Sequence, residues 1–243
     1  VSNNLELETL HCGYNQITSL DVSNNTALTA LGVSSNQLTS LDVSNNLELE
    51  TLYCGYNQIT SLDLSNHSEL LVFDGSYGWL TSLNLRGRHP SEFESIYGVD
   101  NPLECVDVLD PTWAFDNWYQ LNFDRSVEFA FICGAEDRSV WHVSAGGSNN
   151  TGDGTAENPL ATIQVAIDVA SNGDSVLVGP GMYNENISWI NKHLTIIGAG
   201  SGQTTIDAQQ LDNGVRIQNI NNSSLFEGFT IKTGSPVSED YPW

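Results

Sequence analysis

Basic residues are what this sequence lacks. Its 243 residues hold 7 Lys and Arg against 30 Asp and Glu, a formal net charge of −23 and an isoelectric point near 4.1. Charged residues make up only 15 % of the chain, so the imbalance comes from missing bases rather than an excess of acids. Phosphate contacts need a basic footprint, so nucleic acid is a poor partner, and an anionic membrane surface fails on the same ground. No apolar run approaches the ~18 residues of a membrane span, and no signal peptide is visible. No C-x-x-C spacing occurs among the four cysteines, which argues against structural zinc. The first residue is Val1 rather than Met, and we read the chain as a processed or excised segment.

What is present is a repeat. Ser2–Asn24 (SNNLELETLHCGYNQITSLDVSN) returns as Ser44–Asn66 with only His11/Tyr53 and Val22/Leu64 exchanged. A diverged unit of the same skeleton lies between them, so the period is 21 rather than 42. Leu10, Leu31, Leu52 and Phe73 form one column, Leu20, Leu41, Leu62 and Leu83 a second, and Asn15, Asn36 and Asn57 a third. A fixed period near 20 residues marks a solenoid, in which a unit buries its apolar edge only by stacking on its neighbours. Ile96, Asn101, Leu103, Val106 and Val108 keep the offsets, which predicts five coils, the last lengthened by about two residues around Gly87–Ser95.

Leu28–Leu38 and Leu49–Ile59 match L-x-x-L-x-C/V-x-x-N-x-L, and Leu-Asp-Val-Ser-Asn follows at Leu20–Asn24 and Leu41–Asn45. This resembles the nested short-period leucine-rich repeats of bacterial surface proteins. The resemblance implies two short strands per coil, one at Leu10–Cys12 and one at Leu20–Val22, with His11 pointing outward. An aromatic block follows at Asp110–Cys133, with Trp113, Phe115, Trp118, Tyr119, Phe123, Phe129 and Phe131, and fits the cap that a solenoid end requires.

Cys12 and Cys54 share an inward column two coils apart, roughly 10 Å, which is beyond disulfide reach and fits small buried thiols. Leu103-x-Cys105…Asn117-Trp118…Cys133 resembles the C-terminal cap of secreted Bacteroidetes leucine-rich repeat proteins. That resemblance implies a Cys105–Cys133 disulfide, worth about 3 kcal/mol for a loop of this length, and an oxidising compartment.

Composition shifts near Ser139 into a Gly/Asn/Thr-rich entry, Val140–Pro159. Leu160–Ser171 reads as an amphipathic helix, with Ile163, Ala166, Ile167 and Ala170 on one face and Gly173 as a stop. Short β-rich pieces follow at Ser175–Val178, Asn186–Trp189, Leu194–Ile197, Thr204–Asp207, Val215–Ile217 and Leu225–Ile231. Gly154–Ile167 (GTAENPLATIQVAI), Gly173-Asp174-Ser175-Val176-x-Val178 and Gly181-x-Tyr183-x-Glu185 together resemble the opening of pectin-lyase-like right-handed parallel β-helices. The resemblance covers roughly Val140–Gly234 and implies a helix closing the N-terminal mouth with coils stacked behind it. About three coils fit before Trp243, so we expect the natural protein to continue.

The expected architecture is therefore mainly β. It places a leucine-rich repeat solenoid at 1–109, a disulfide-bonded aromatic cap at 110–138, and the start of a parallel β-helix at 139–243. Outward positions of the first sheet give a candidate ligand face: His11, Gly32, Tyr53 and Asp74, with Tyr77 and Trp79 beside them. Aromatic side chains on a rigid surface suit sugars or protein partners. Asp21, Asp42, Asp63, Asn84 and Asp107 form an outward column whose carboxylates, about 5 Å apart, repel one another unless compensated. Solvation and hydrogen bonds from Ser and Asn relieve this, and Ca²⁺ held by Asp21, Asp42 and Asp63 is an alternative. Asp207, Asp212 and Arg216 lie near one rung of the β-helix, where related folds carry polysaccharide lyases and hydrolases, but Asp-Asn-Gly is also an ordinary turn. His142 and His193 have no acid or nucleophile at a recognisable spacing and read as surface or packing residues. Acidity is spread over repeat, cap and β-helix alike, so charge alone marks no binding face.

The functional expectation is an extracellular bacterial surface protein for adhesion or recognition of a glycan or protein, without catalysis of its own. The alternatives are the N-terminal part of a secreted polysaccharide lyase or hydrolase, and a structural stalk.

Overall fold

The structure is a computed structural model, and it describes residues 4–118, 122–135, 138–209, 214–221 and 223–232. Tyr119 and Asp212 lie outside the described residues. The chain forms two compact units, Val1–Gly134 and Ala135–Trp243. Both are mainly β solenoids with parallel strands. None of the described helices is long and apolar enough to cross a membrane.

In the first unit, each coil gives one three-residue strand to a five-stranded sheet, at a 21-residue step through the fourth coil. Its strands are Thr9–His11, Ala30–Gly32, Thr51–Tyr53, Val72–Asp74 and Ser95–Tyr97. Leu10 pairs with Leu31, Leu31 with Leu52, Leu52 with Phe73 and Phe73 with Ile96, so the apolar column becomes the core, with Leu31, Leu52, Phe73 and Ile96 buried. Val72 pairs with Ser95, and this longer step is the fifth coil's insertion. A second sheet joins Ser61–Asp63, Ser82–Asn84, Cys105–Asp107 and Glu128–Ala130.

The expected strands at Leu20–Val22 and its coil-two equivalent carry no ladder bonds. Side chains bridge the coils there instead: Asn46 Nδ2 donates to the carbonyls of Val22 and Asn25, and His67 Nε2 to that of Val43. At the opposite turn an asparagine ladder does the same work. Asn57 Oδ1 accepts from Leu38 N at 3.0 Å while its Nδ2 donates to the carbonyls of Val33 and Cys54. Asn36 and Asn101 repeat the pattern, each serving a turn of the preceding coil. Buried backbone groups need partners, and the asparagine column supplies them coil after coil.

Helix Pro111–Trp118 begins the cap, and Trp118 makes ring contacts with Phe93, Trp113, Phe123 and Phe129 over the solenoid end. Cys105 and Cys133 form the disulfide. Cys12 and Cys54 are free, and burial pushes the Cys54 thiol up to about 12, so it is inert near neutrality.

The second unit has three sheet faces per turn. Val140–Val143, Ser175–Val178, Thr195–Gly198 and Leu225–Glu227 form one; Gly181–Tyr183, Thr204–Asp207 and Thr230–Lys232 the next; Ile187–Ile190 and Val215–Gln218 the third. The Gly-rich entry thus contains a strand that its composition hides. The stretch Leu225–Ile231 is two strands because Gly228 turns the chain at φ +83, packed so close to Gly198 that a Cβ on it would lie 2.3 Å from the Gly198 carbonyl oxygen. The helix is shorter than expected, Ile163–Val169. Leu160 is drawn into a bridge with Val143, and Ser171 N donates to Asp174, so neither end can stay helical.

Candidate recognition face

In the second unit the charged side chains Asp174, Glu185 and Lys192 hold the helix and its surroundings in place. Asp174 Oδ2 accepts from Trp141 Nε1 at 3.0 Å and from Ser171 N at 2.7 Å. Glu185 is half-buried and receives the N–H groups of Ile163 and Gln164 at 2.8 and 2.9 Å, closing the helix N-terminus. Burial pushes its carboxyl up, and those two donors oppose the shift. Lys192 Nζ donates to the carbonyls of Ile167 and Asp168 at the other end, and desolvation lowers its ammonium. Asp207 Oδ1 accepts from Gln209 N, and Arg216 reaches Gln218. His193 Nδ1 accepts from Asn221 N. An open cleft of about 390 Å³ runs past His142, Pro159, Leu177, Ile197 and Ala199, and its walls hold no carboxylate.

The aspartate column of the first unit has its own explanation. Asp21, Asp42 and Asp63 each accept the N–H two residues on, from Ser23, Ser44 and Ser65, at 3.0 Å. These hydrogen bonds hold Asp21 and Asp42 below the usual carboxylate range. Asp107 accepts from Cys133 N, yet burial raises its carboxyl. No group of three His, Cys, Asp or Glu side chains able to hold a metal ion occurs among the described residues. The column serves turns, with one oxygen of each carboxylate already engaged.

The first sheet's outward face is different. His11, Gly32, Tyr53, Asp74 and Tyr97 stand in register across five strands. Gly32 leaves space into which the His11 ring leans, since a Cβ on Gly32 would lie 2.5 Å from His11 Nδ1. Asp74 Oδ1 fixes its own turn by accepting from Ser76 N at 2.9 Å. Beside the strands runs a second row, Tyr14, Ser35, Tyr56, Tyr77 and Asp100, all in the left-handed backbone region at φ between 54° and 59°. A bulky side chain there costs roughly 1–2 kcal/mol relative to residues that tolerate it, such as Gly or Asn. The rings of Tyr56 and Tyr77 stack at 4.7 Å and 14°. Tyr53, Tyr56, Tyr77, Trp79, Tyr97 and Tyr14 are 40 to 89 % exposed. Desolvation raises the Tyr56 phenol, and Tyr77, Tyr14, Asp74 and Asp100 push the same way.

Of the expected face residues, Tyr53, Asp74 and Tyr77 fall on these two rows, His11 turns toward Gly32, and Trp79 stands exposed in the turn after Tyr77. Tyr14, Tyr56, Tyr97 and Asp100 were not expected. The 21-residue step that aligns Leu10 with Leu31 also aligns Tyr14 with Tyr56 and Tyr77, and that signal was available.

No protein-family model matches the chain, and comparison with curated proteins finds no match. Among solved structures it is similar to the functional domain of InlJ from Listeria monocytogenes, described as including a cysteine ladder. Identity is 23 %, the TM-score is 0.39, and the match covers 88 % of this chain and 53 % of that one. The chain thus spans about half the length of that protein. The functional reading rests on this chain's own geometry.

Proposed function

We propose that the chain is a recognition module of an extracellular bacterial surface protein, binding a macromolecular ligand, glycan or protein, through the first-sheet face of its repeat unit. One observation carries the reading: a set of exposed aromatic side chains on one face of a regular scaffold, three of them at strained left-handed positions. Strain of this kind persists where function uses it, and exposed aromatic clusters mark binding surfaces. The Cys105–Cys133 disulfide agrees with an oxidising compartment. The repeat and cap resemblances carry the bacterial part of the reading.

Glycan and secreted-protein arrays probed with the whole chain test it, alongside a triple variant Tyr53→Ser, Tyr77→Asn, Trp79→Gln. Gln is what the first three coils carry at the Trp79 position. Signals present for the wild type and absent for the variant are expected. Signals that the variant retains in full overturn the assignment of this face.

A further inference from the structure

The face has a charge character that the whole chain's composition conceals. Residues 1–85 contain no Lys or Arg. Glu8, Glu50 and Glu94 are exposed just ahead of three of the strands, Asp74 lies on the sheet face and Asp100 at the end of the tyrosine row. Of the first unit's three arginines, Arg86 stacks on Phe131 and Arg88 donates to the Leu70 carbonyl, while Arg125 follows Asp124, whose carboxylate accepts from Asp100 N at the end of the row. Aromatic rings beside carboxylates that outnumber the nearby arginines are complementary to a further cation.

The row also has a notch. Tyr56 and Tyr77, one coil apart, stack ring on ring at 4.7 Å. Tyr14 and Tyr56 are two coils apart, about 10 Å by strand spacing, and only the small Ser35 stands between them. Two stacking intervals leave room for one flat group. The fourth coil has replaced Cys54, Gly55, Asn57 and Gln58 of the third by Gly75, Ser76, Gly78 and Trp79, yet it keeps a tyrosine at the left-handed position.

We propose that this face binds an extended basic segment of a protein partner, with an arginine guanidinium seated over Ser35 between Tyr14 and Tyr56. The inference rests on the recognition reading above and names the ligand's chemistry. A guanidinium is planar, always charged and stacks on aromatic faces, so it uses both rings and field. Neighbouring basic side chains of the segment face Tyr77, Asp74 and Asp100. A neutral sugar uses the rings and leaves the charge unanswered.

The test measures fluorescence anisotropy of a labelled peptide of alternating Gly and Arg with the whole chain, beside a matched Gly/Glu peptide and a neutral cello-oligosaccharide. Two variants change no charge. Tyr56→Asn with Tyr77→Asn removes the rings and puts a tolerated residue at each left-handed position, and Ser35→Tyr fills the notch with a residue the neighbouring coils already carry there. The Arg peptide is expected to bind, to weaken with salt, and to lose about tenfold on the double substitution and about fivefold on Ser35→Tyr. No binding to the wild type, or equal binding to the double variant, overturns the proposal, the latter because the diffuse field of the acidic chain is then the cause. Wild-type affinity in Ser35→Tyr overturns the notch assignment. An oligosaccharide that binds and is lost on the double substitution overturns the basic partner while the recognition reading stands. If no probe, peptide or sugar, loses affinity on that substitution, both fall.

Discussion

The first unit holds its coils together with the same side chain used again and again, whereas the second uses side chains that occur once. Asn36, Asn57 and Asn101 each bridge to the preceding coil through near-identical bonds. In the second unit Glu185 and Lys192 bracket one helix, Asp174 ties Trp141 to Ser171, and Gln164 exchanges hydrogen bonds with Ser188. A repeated device writes a period into the sequence. A single-use device writes a motif, and a motif of carboxylates is easily mistaken for chemistry. Asp174 of Gly-Asp-Ser-Val and Glu185 of Gly-x-Tyr-x-Glu hold the two ends of the helix, while Tyr183 Oη ties its own strand to the Gly179 carbonyl.

Substitutions sharpen the contrast, and amide exchange reads each unit separately. Reducing Cys105–Cys133 releases a loop of sequence separation 28 and should cost the first unit about 3 kcal/mol, leaving protection in the second unchanged. Asn57→Ala removes four buried hydrogen bonds and should cost about 3 kcal/mol, while Asn15→Ala, whose side chain is exposed and bonds only within its own turn, should cost under about 1 kcal/mol. Equal costs break the ladder account. Glu185→Ala should cost the second unit about 2 kcal/mol, with exchange rising first at Ile163 and Gln164.

The smallest effect is a pH dependence confined to the first unit. His67 stands where the two preceding coils carry Asn25 and Asn46, and burial holds its imidazole below the usual value. The unfolded chain therefore takes up the proton first, so this group's contribution is intact above about pH 6.5 and is lost as pH falls toward the folded value. His67→Asn should flatten that acid limb in a melting series from pH 7 to 5. An unchanged limb assigns the acid sensitivity elsewhere.

Much of the first unit was legible because apolar and asparagine columns recur at one step, and the aromatic cap and its disulfide through a family likeness. The left-handed tyrosine row was not read, since backbone handedness leaves no mark on hydrophobic alternation, and in Tyr-Asn-Gln the neighbouring asparagine draws attention first. The helix is shorter than its pattern because Leu160, which extends the apolar face, and Ser171, which a last helical turn tolerates, are claimed by Val143 and Asp174. The strand at Val140–Val143 was hidden by the polar residues following it. The roles of Asp174 and Glu185 were illegible for a different reason: apart from Trp141 Nε1 on Asp174, their partners are backbone N–H groups, which every sequence supplies.

On the proposed reading, the exposed tyrosines serve a ligand rather than the fold. Thermal unfolding of the Tyr14→Asn, Tyr56→Asn, Tyr77→Asn variant tests it most directly, because Asn suits the left-handed backbone and the net charge is unchanged. An unchanged or higher Tm is expected for the first unit, the relieved strain offsetting the lost Tyr56–Tyr77 stack. A Tm lowered by several degrees would contradict it, because the rings would then be packing elements of the solenoid.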